Sequence, residues 1–216
     1  MATSLKLKIR EEIINTITHG IGIPLSITAL VIMIIYASIY GTAWHIVSTA
    51  IYGASLITLY TASTLYHGAR NMRLKWALNK FDHSAIFILI AGTYTPYTLV
   101  TLRGPWGWTI FGIIWGLAIA GIIFKIWFYN PKYRKVSAIL YLLMGWIAII
   151  AVKPLVENLE VGGLLWLLIG GIAYSLGVIF YLLKKLPYTH SVFHIFVLIG
   201  SVAHFLSIFL FVIPLN

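Results

Sequence analysis

The chain has 216 residues, 61% of them hydrophobic and only 9% charged, at a mean hydropathy of +0.96. This composition excludes a soluble domain and leaves an all-α, polytopic membrane protein, with room for one helical membrane domain over 1–216. A formal charge of +10 would suggest nucleic acid for a soluble chain, but here the bases fall in short gaps between apolar runs, so no nucleic-acid partner is expected.

Residues 1–20 are basic at their start and lack an apolar core followed by a small-residue cleavage site. They read as a cytoplasmic interfacial segment leading into a first span retained as an anchor. Seven apolar runs of spanning length follow, at Ile21–Tyr40, Ile46–His67, Phe81–Leu102, Trp106–Phe128, Val136–Val152, Gly162–Leu183 and Thr189–Ile213. Gly104-Pro105, Asn130-Pro131 and Lys184-Lys185 with Pro187 punctuate the gaps. With the N-terminus cytoplasmic, thirteen of the fifteen Lys and Arg lie inside and only Arg103 and Lys153 outside, which puts the C-terminus outside. Trp44, Trp76, Trp106, Trp108, Trp127 and Trp166 fall near span ends, where interfacial anchors belong. Gly112, Gly116 and Ala120 form a small-residue stripe expected to pack closely inside the protein.

The polar residues carry the functional signal, because an ionisable group inside a span is costly without a partner. His67 closes the second run, Asp82 opens the third, and His190 and His194 open the seventh, so the basic-residue topology places all four at one depth near the inner face. The i, i+4 spacing puts His190 and His194 on one helix face, and His67 completes three imidazoles. With no cysteine in the chain, His, Asp and Glu are the available ligands, and three of them plus water is the layout of catalytic zinc. His190-Ser191-Val192-Phe193-His194 lacks the glutamate of the HExxH motif, so Asp82, the one acidic residue within these runs, is the candidate base. Ser63, one turn before His67, can donate to a carbonyl or a developing oxyanion. Glu12, Asn15 and His19 share a face that can cover or support the site, or simply belong to an amphipathic interfacial helix. His45 reads as a loop residue bonded to backbone or water, His83 as structural or lipid-facing, and His204 as a polar packing residue.

Glu12-x-x-Asn15 with Thr18-His19-Gly20, Ser63-x-x-x-His67, Phe81-Asp82-His83-Ser84-Ala85-Ile86-Phe87 running to Ala91-Gly92-Thr93-Tyr94-Thr95-Pro96, and His190-x-x-x-His194 resemble the bacterial hemolysin III family. That family is the prokaryotic branch of the progestin and adiponectin receptor superfamily. The resemblance covers nearly the whole chain. It implies a seven-helix bundle in the bacterial plasma membrane, with the N-terminus inside and Zn2+ held by His67, His190 and His194. It further implies that Asp82 matches the residue holding the water on the metal, and Ser63 the serine near it. The superfamily includes lipid amide hydrolases, and the bacterial branch is linked to a haemolytic phenotype and to membrane lipid composition.

Three functions are therefore open. The first is a zinc-dependent intramembrane hydrolase of a lipid amide or ester, with a membrane lipid as substrate. The second is a non-enzymatic sensor of membrane lipid or fluidity in which zinc is structural. The third is a pore-forming cytolysin, which the lack of a repeated polar stripe along any span disfavours. Oligomeric state is not legible in apolar spans.

Overall fold

The computed structural model describes residues 2–128, 130, 133–183 and 186–214, with side chains from residue 6 onward. Among these residues all regular structure is helical. The helices are α1 (Ala2–Tyr40), α2 (Ala43–Gly68), α3 (Met72–Pro96), α4 (Pro105–Trp127), α5 (Arg134–Gly145), α6 (Val152–Asn158), α7 (Val161–Leu182) and α8 (Thr189–Phe211). A π-helical turn, Tyr97–Thr101, extends α3, and a 3-10 segment, Trp146–Ala151, joins α5 to α6. Counting α5 to α6 as one, seven segments are long and apolar enough to cross a membrane. Lys132, Pro131, Lys184 and Lys185, read above as loop residues, lie outside the described residues.

The packing order follows from which faces are apolar all round. Two-thirds (67%) of the most apolar window of the third span is buried, against 22% for the first, so α3 is central and α1 lies on the lipid-facing rim. α1 packs on α2 and α8, α2 on α3, α3 on α4, and α7 on α8. The main core fills the space between α1, α2, α3 and α8 with Met33, Tyr52, Leu56, Tyr60 and Ile208. A second cluster joins α3, α4 and α5 through Phe87, Ile114 and Tyr141. Leu, Ile and Val elsewhere face outward, as lipid contact requires.

Four expectations change. Residues 2–20 are not a separate interfacial piece: they form the first half of one 39-residue helix, which Pro24 does not interrupt. At about 1.5 Å per residue that helix is roughly 58 Å long, close to twice the ~30 Å hydrocarbon core. The third helix starts at Met72, nine residues before the apolar run, because Asn71 accepts from Arg73 N and Leu74 N at 2.9 and 3.2 Å and caps a charged first stretch. Asp82 is therefore well inside α3 rather than at its start. The fifth span is longer than expected and broken. The Tyr94 hydroxyl donates to the Gly145 carbonyl at 2.7 Å and accepts from Ala148 N at 2.8 Å, bridging backbone groups at the break. Finally, Gly112 and Gly116 have nothing within 4 Å of a Cβ position and face away from the bundle. The buried stripe of α4 is Ile110, Ile114, Ala118 and Gly121, and a Cβ on Gly121 would meet the Phe87 ring at 2.4 Å.

Candidate metal centre

His67 comes from the last turn of α2, and His190 and His194 from the first turns of α8. The α8 start is set by Tyr188, which holds a left-handed conformation (φ 61) and turns the chain just before the pair. Each of the three histidines offers a ring nitrogen within 4.8 Å of the others, so together they could hold a metal ion. His67 Nε2 and His190 Nε2 are 3.2 Å apart. Two nitrogens each about 2.0–2.1 Å from a tetrahedral ion would lie about 3.3 Å apart, so the spacing fits.

On His67 and His194 the outward-facing nitrogen is already committed, which aims the other at the site. His67 Nδ1 donates to Glu12 Oε2 at 2.7 Å, and the other Glu12 oxygen is 2.9 Å from Lys75 Nζ. His194 Nδ1 donates to Thr18 Oγ1 at 3.4 Å, since the threonine proton is used on the Ile14 carbonyl. Both bonds fix a tautomer with bare Nε2, the arrangement that second-shell partners impose on metal-binding imidazoles. Asn15 links the two ligand helices: its Oδ1 accepts from Ser191 at 2.6 Å and its amide lies 3.5 Å from His67 Nδ1. His19 stacks on His194 at 3.6 Å and 10°, and its Nδ1 is 2.7 Å from Ser63 Oγ. All of these α1 contacts come from the segment that the sequence reading had placed outside the first span. Glu12 is accordingly a second carboxylate at the site, so Asp82 does not stand alone. The spacing of Glu12, Asn15 and His19 carried that signal, whereas nothing marked Lys75 or Ser191 individually.

Ser63 and Asp82 are buried at 1% and 8% exposure and line the same cavity as His19, His190 and His194. That cavity has a volume of about 410 Å³ and is otherwise walled by apolar residues of α3, α5, α7 and α8. Ile149, Val152, Val156 and Leu168 line it and are also exposed on the outer surface, which marks a lateral mouth between the broken fifth span and α7. A second, more polar cavity of about 350 Å³ opens beside the triad at the end carrying Lys8, Lys125 and Arg134. His83, Tyr181 and His190 line both cavities. His83 is thus structural rather than lipid-facing: Nδ1 donates to the Asn79 carbonyl at 2.8 Å, and Nε2 accepts from the Tyr181 hydroxyl at 3.3 Å.

The other histidines stay apart from the triad. His45 lies in the first turn of α2 rather than in a loop, and its Nδ1 accepts from Thr42 N at 3.0 Å. His204 packs against Tyr174 and donates from Nε2 to the Leu167 carbonyl at 3.2 Å.

The sequence matches the family model described as haemolysin-III related over residues 7–205. It is 52% identical over 206 residues to Hemolysin-3 of Bacillus cereus, covering 95% of this chain and 94% of that one. A Hemolysin-3 homolog of Bacillus subtilis (strain 168) is also 52% identical, over 200 residues and 93% of each chain. The human Monocyte to macrophage differentiation factor is 28% identical over 204 residues, 92% of this chain and 83% of its own. The extent of these matches and the seven apolar spans show that the chain belongs to the haemolysin III family, multi-pass proteins of the bacterial plasma membrane within the progestin and adiponectin receptor superfamily.

Proposed function

We propose that this protein is a zinc-dependent hydrolase of a lipid amide or ester, working in membrane lipid homeostasis. The reading rests on one observation. Three histidine nitrogens meet within 4.8 Å beside a cavity of about 410 Å³ that His190 and His194 share with Asp82 and Ser63. The cavity falls in the size range of small-molecule sites. Among the described residues the group has three members. Three protein ligands leave a fourth position open, as in catalytic zinc sites, whereas structural sites are closed by four. Zinc, when bound, supplies a Lewis acid that polarises a carbonyl and lowers the pKa of water.

The chain's own residues do the rest. Asp82 accepts the proton of the attacking water and returns it to the leaving amine or alcohol. Ser63 Oγ, 2.7 Å from His19 Nδ1, turns its hydroxyl proton toward the developing oxyanion. The apolar walls hold the acyl chain and keep bulk water from the reacting carbonyl. With the basic loops cytoplasmic, the site serves lipids of the inner leaflet. A reporter inserted between Arg70 and Lys80 should then be active in the cytoplasm and one after Asn216 outside; the reverse result rejects this orientation.

The direct test is lipid turnover by purified protein in bilayers, with metal measured on the same samples. Asp82→Asn should keep zinc and lose turnover by about a hundredfold or more, the scale of a general base. Ser63→Ala should lose roughly tenfold to a hundredfold. If Asp82→Asn loses zinc as well, the aspartate supports the metal and is not the base. If wild-type protein with full zinc cleaves no lipid amide or ester, the sensor reading with structural zinc replaces the enzyme.

A further inference from the structure

The polar cavity beside the triad holds a lysine that makes no direct ion pair. Lys125, in the last turn of α4, is 4% exposed and lines this cavity. Among the described residues it makes no hydrogen bond, and no carboxylate lies within 4.0 Å of its ammonium. The preference for basic loops on one side of a membrane accounts for Lys and Arg in water, but not for one turned into the protein. With its stem buried and its ammonium opening into the cavity, Lys125 offers a cation to whatever occupies it.

The surroundings point the same way. Lys8 and Arg134, whose guanidinium also donates to the Tyr181 carbonyl at 2.7 Å, line the cavity with Lys125, against Glu11 and Glu12, and Glu12 is already paired with Lys75. The cavity adjoins the apolar one through a shared wall of His83, Tyr181 and His190. A molecule with its charge in the polar cavity and its chains in the apolar one crosses the triad at the junction.

We propose that the polar cavity binds the anionic headgroup, a phosphate or carboxylate, of a lipid whose chains lie in the apolar cavity, with Lys125 as the anchoring cation. This names the substrate class and rests on the lipid-site reading above. It stands apart from the chemistry, because occupancy can be read without turnover.

The test uses the full-length purified protein and ether-linked phosphatidylglycerol, which has no acyl ester to cleave, against ether-linked phosphatidylcholine in mixed micelles. Lipid retained per chain is counted by native mass spectrometry. Wild-type protein should retain one phosphatidylglycerol in preference to phosphatidylcholine. Lys125→Met, which keeps the length without the charge, should lose that preference by about tenfold, the loss of one charge-assisted contact. Lys125→Arg should keep it, and Lys153→Gln, at the opposite end of the bundle, should not change it. Thermal unfolding of each variant reports on its fold. Equal retention of the two lipids by wild type, or an unchanged preference in folded Lys125→Met, overturns the proposal. In a second arm, inorganic phosphate is added without lipid. If phosphate stabilises wild type but not Lys125→Met while neither lipid is preferred, the site takes a soluble anion and the lipid assignment falls. Retention of the anionic lipid by a protein that hydrolyses nothing would keep this inference and remove only the hydrolase.

Discussion

On one side of the apolar cavity, α1, α2 and α8 pack along their lengths and carry the three histidines together with Glu12, Asn15 and Thr18, which hold them. On the other side, α5 and α6 touch α3 and α7 sparsely, break at Trp146–Ala151, and present exposed aliphatic side chains that also line the cavity. The first wall is tied by hydrogen bonds of 2.6–2.7 Å between helices, one of them on the ligand His67, with a longer bond of 3.4 Å on His194. The second is tied at its α5 end, where Arg134 donates to the Tyr181 carbonyl at 2.7 Å and Tyr141 to the His83 carbonyl at 2.9 Å, and at its break through Tyr94 and an indole bond from Trp146 Nε1 to Ser175 at 3.0 Å, whereas among the described residues α6, at the mouth, makes no side-chain hydrogen bond to another helix. Precision is needed where a reacting group must be placed, and looseness is tolerable where a chain must enter sideways from the bilayer. The two walls of one cavity divide those demands.

The comparison breaks most decisively at the ligands. Replacing His67, His190 or His194 by Ala should abolish stoichiometric zinc and lower the unfolding temperature, because metal binding between helices is part of the folding energy. Elemental analysis together with thermal unfolding checks both; stoichiometric zinc in the triple variant would remove the assignment. A smaller effect is expected one layer out. Glu12→Gln keeps the shape but weakens the grip on His67 Nδ1, and should reduce zinc affinity by about tenfold to a hundredfold, as second-shell changes do. Competition with a chelator of known affinity measures this, and an unchanged affinity would mean that the first wall is merely packed. The smallest effect belongs to the second wall. Ile149→Trp partly fills the mouth, and should slow lipid turnover by about tenfold while leaving zinc content and affinity as in wild type. If it lowers zinc affinity instead, the two walls are coupled and the division is false.

The sequence made the ligands of the first wall legible and little of what holds either wall, for physical reasons. Spans are set by the cost of polar groups in hydrocarbon, so composition alone located all seven. Histidines at a shared depth are rare enough that His67, His190 and His194 stood out. The spacing of Glu12, Asn15 and His19 pointed to a supporting face but not to its contacts, because a charged stretch before an apolar run looks like a water-exposed segment, whereas α1 runs on as a single helix past the end of the apolar window. The outward turn of Gly112 and Gly116 was equally hidden, since small residues are acceptable both to a neighbouring helix and to lipid. The break in span five had only Gly145 to announce it. The Tyr94 hydroxyl that bridges it is 51 residues away in sequence and its reach could not be read from the pattern.

The pairing of His67 with His190 spans 123 residues, and that of Asn15 with Ser191 spans 176. α2 enters the bilayer early in synthesis and α8 last, so the site is incomplete for nearly the whole time the protein is being made. Contacts of such separation form late, after most of the loop entropy has been overcome. An ion gripped by both helices closes the ring of spans between the beginning and the end of the chain. Such an ion would mark the completion of assembly, since a nascent chain stalled before α8 has no triad with which to capture metal.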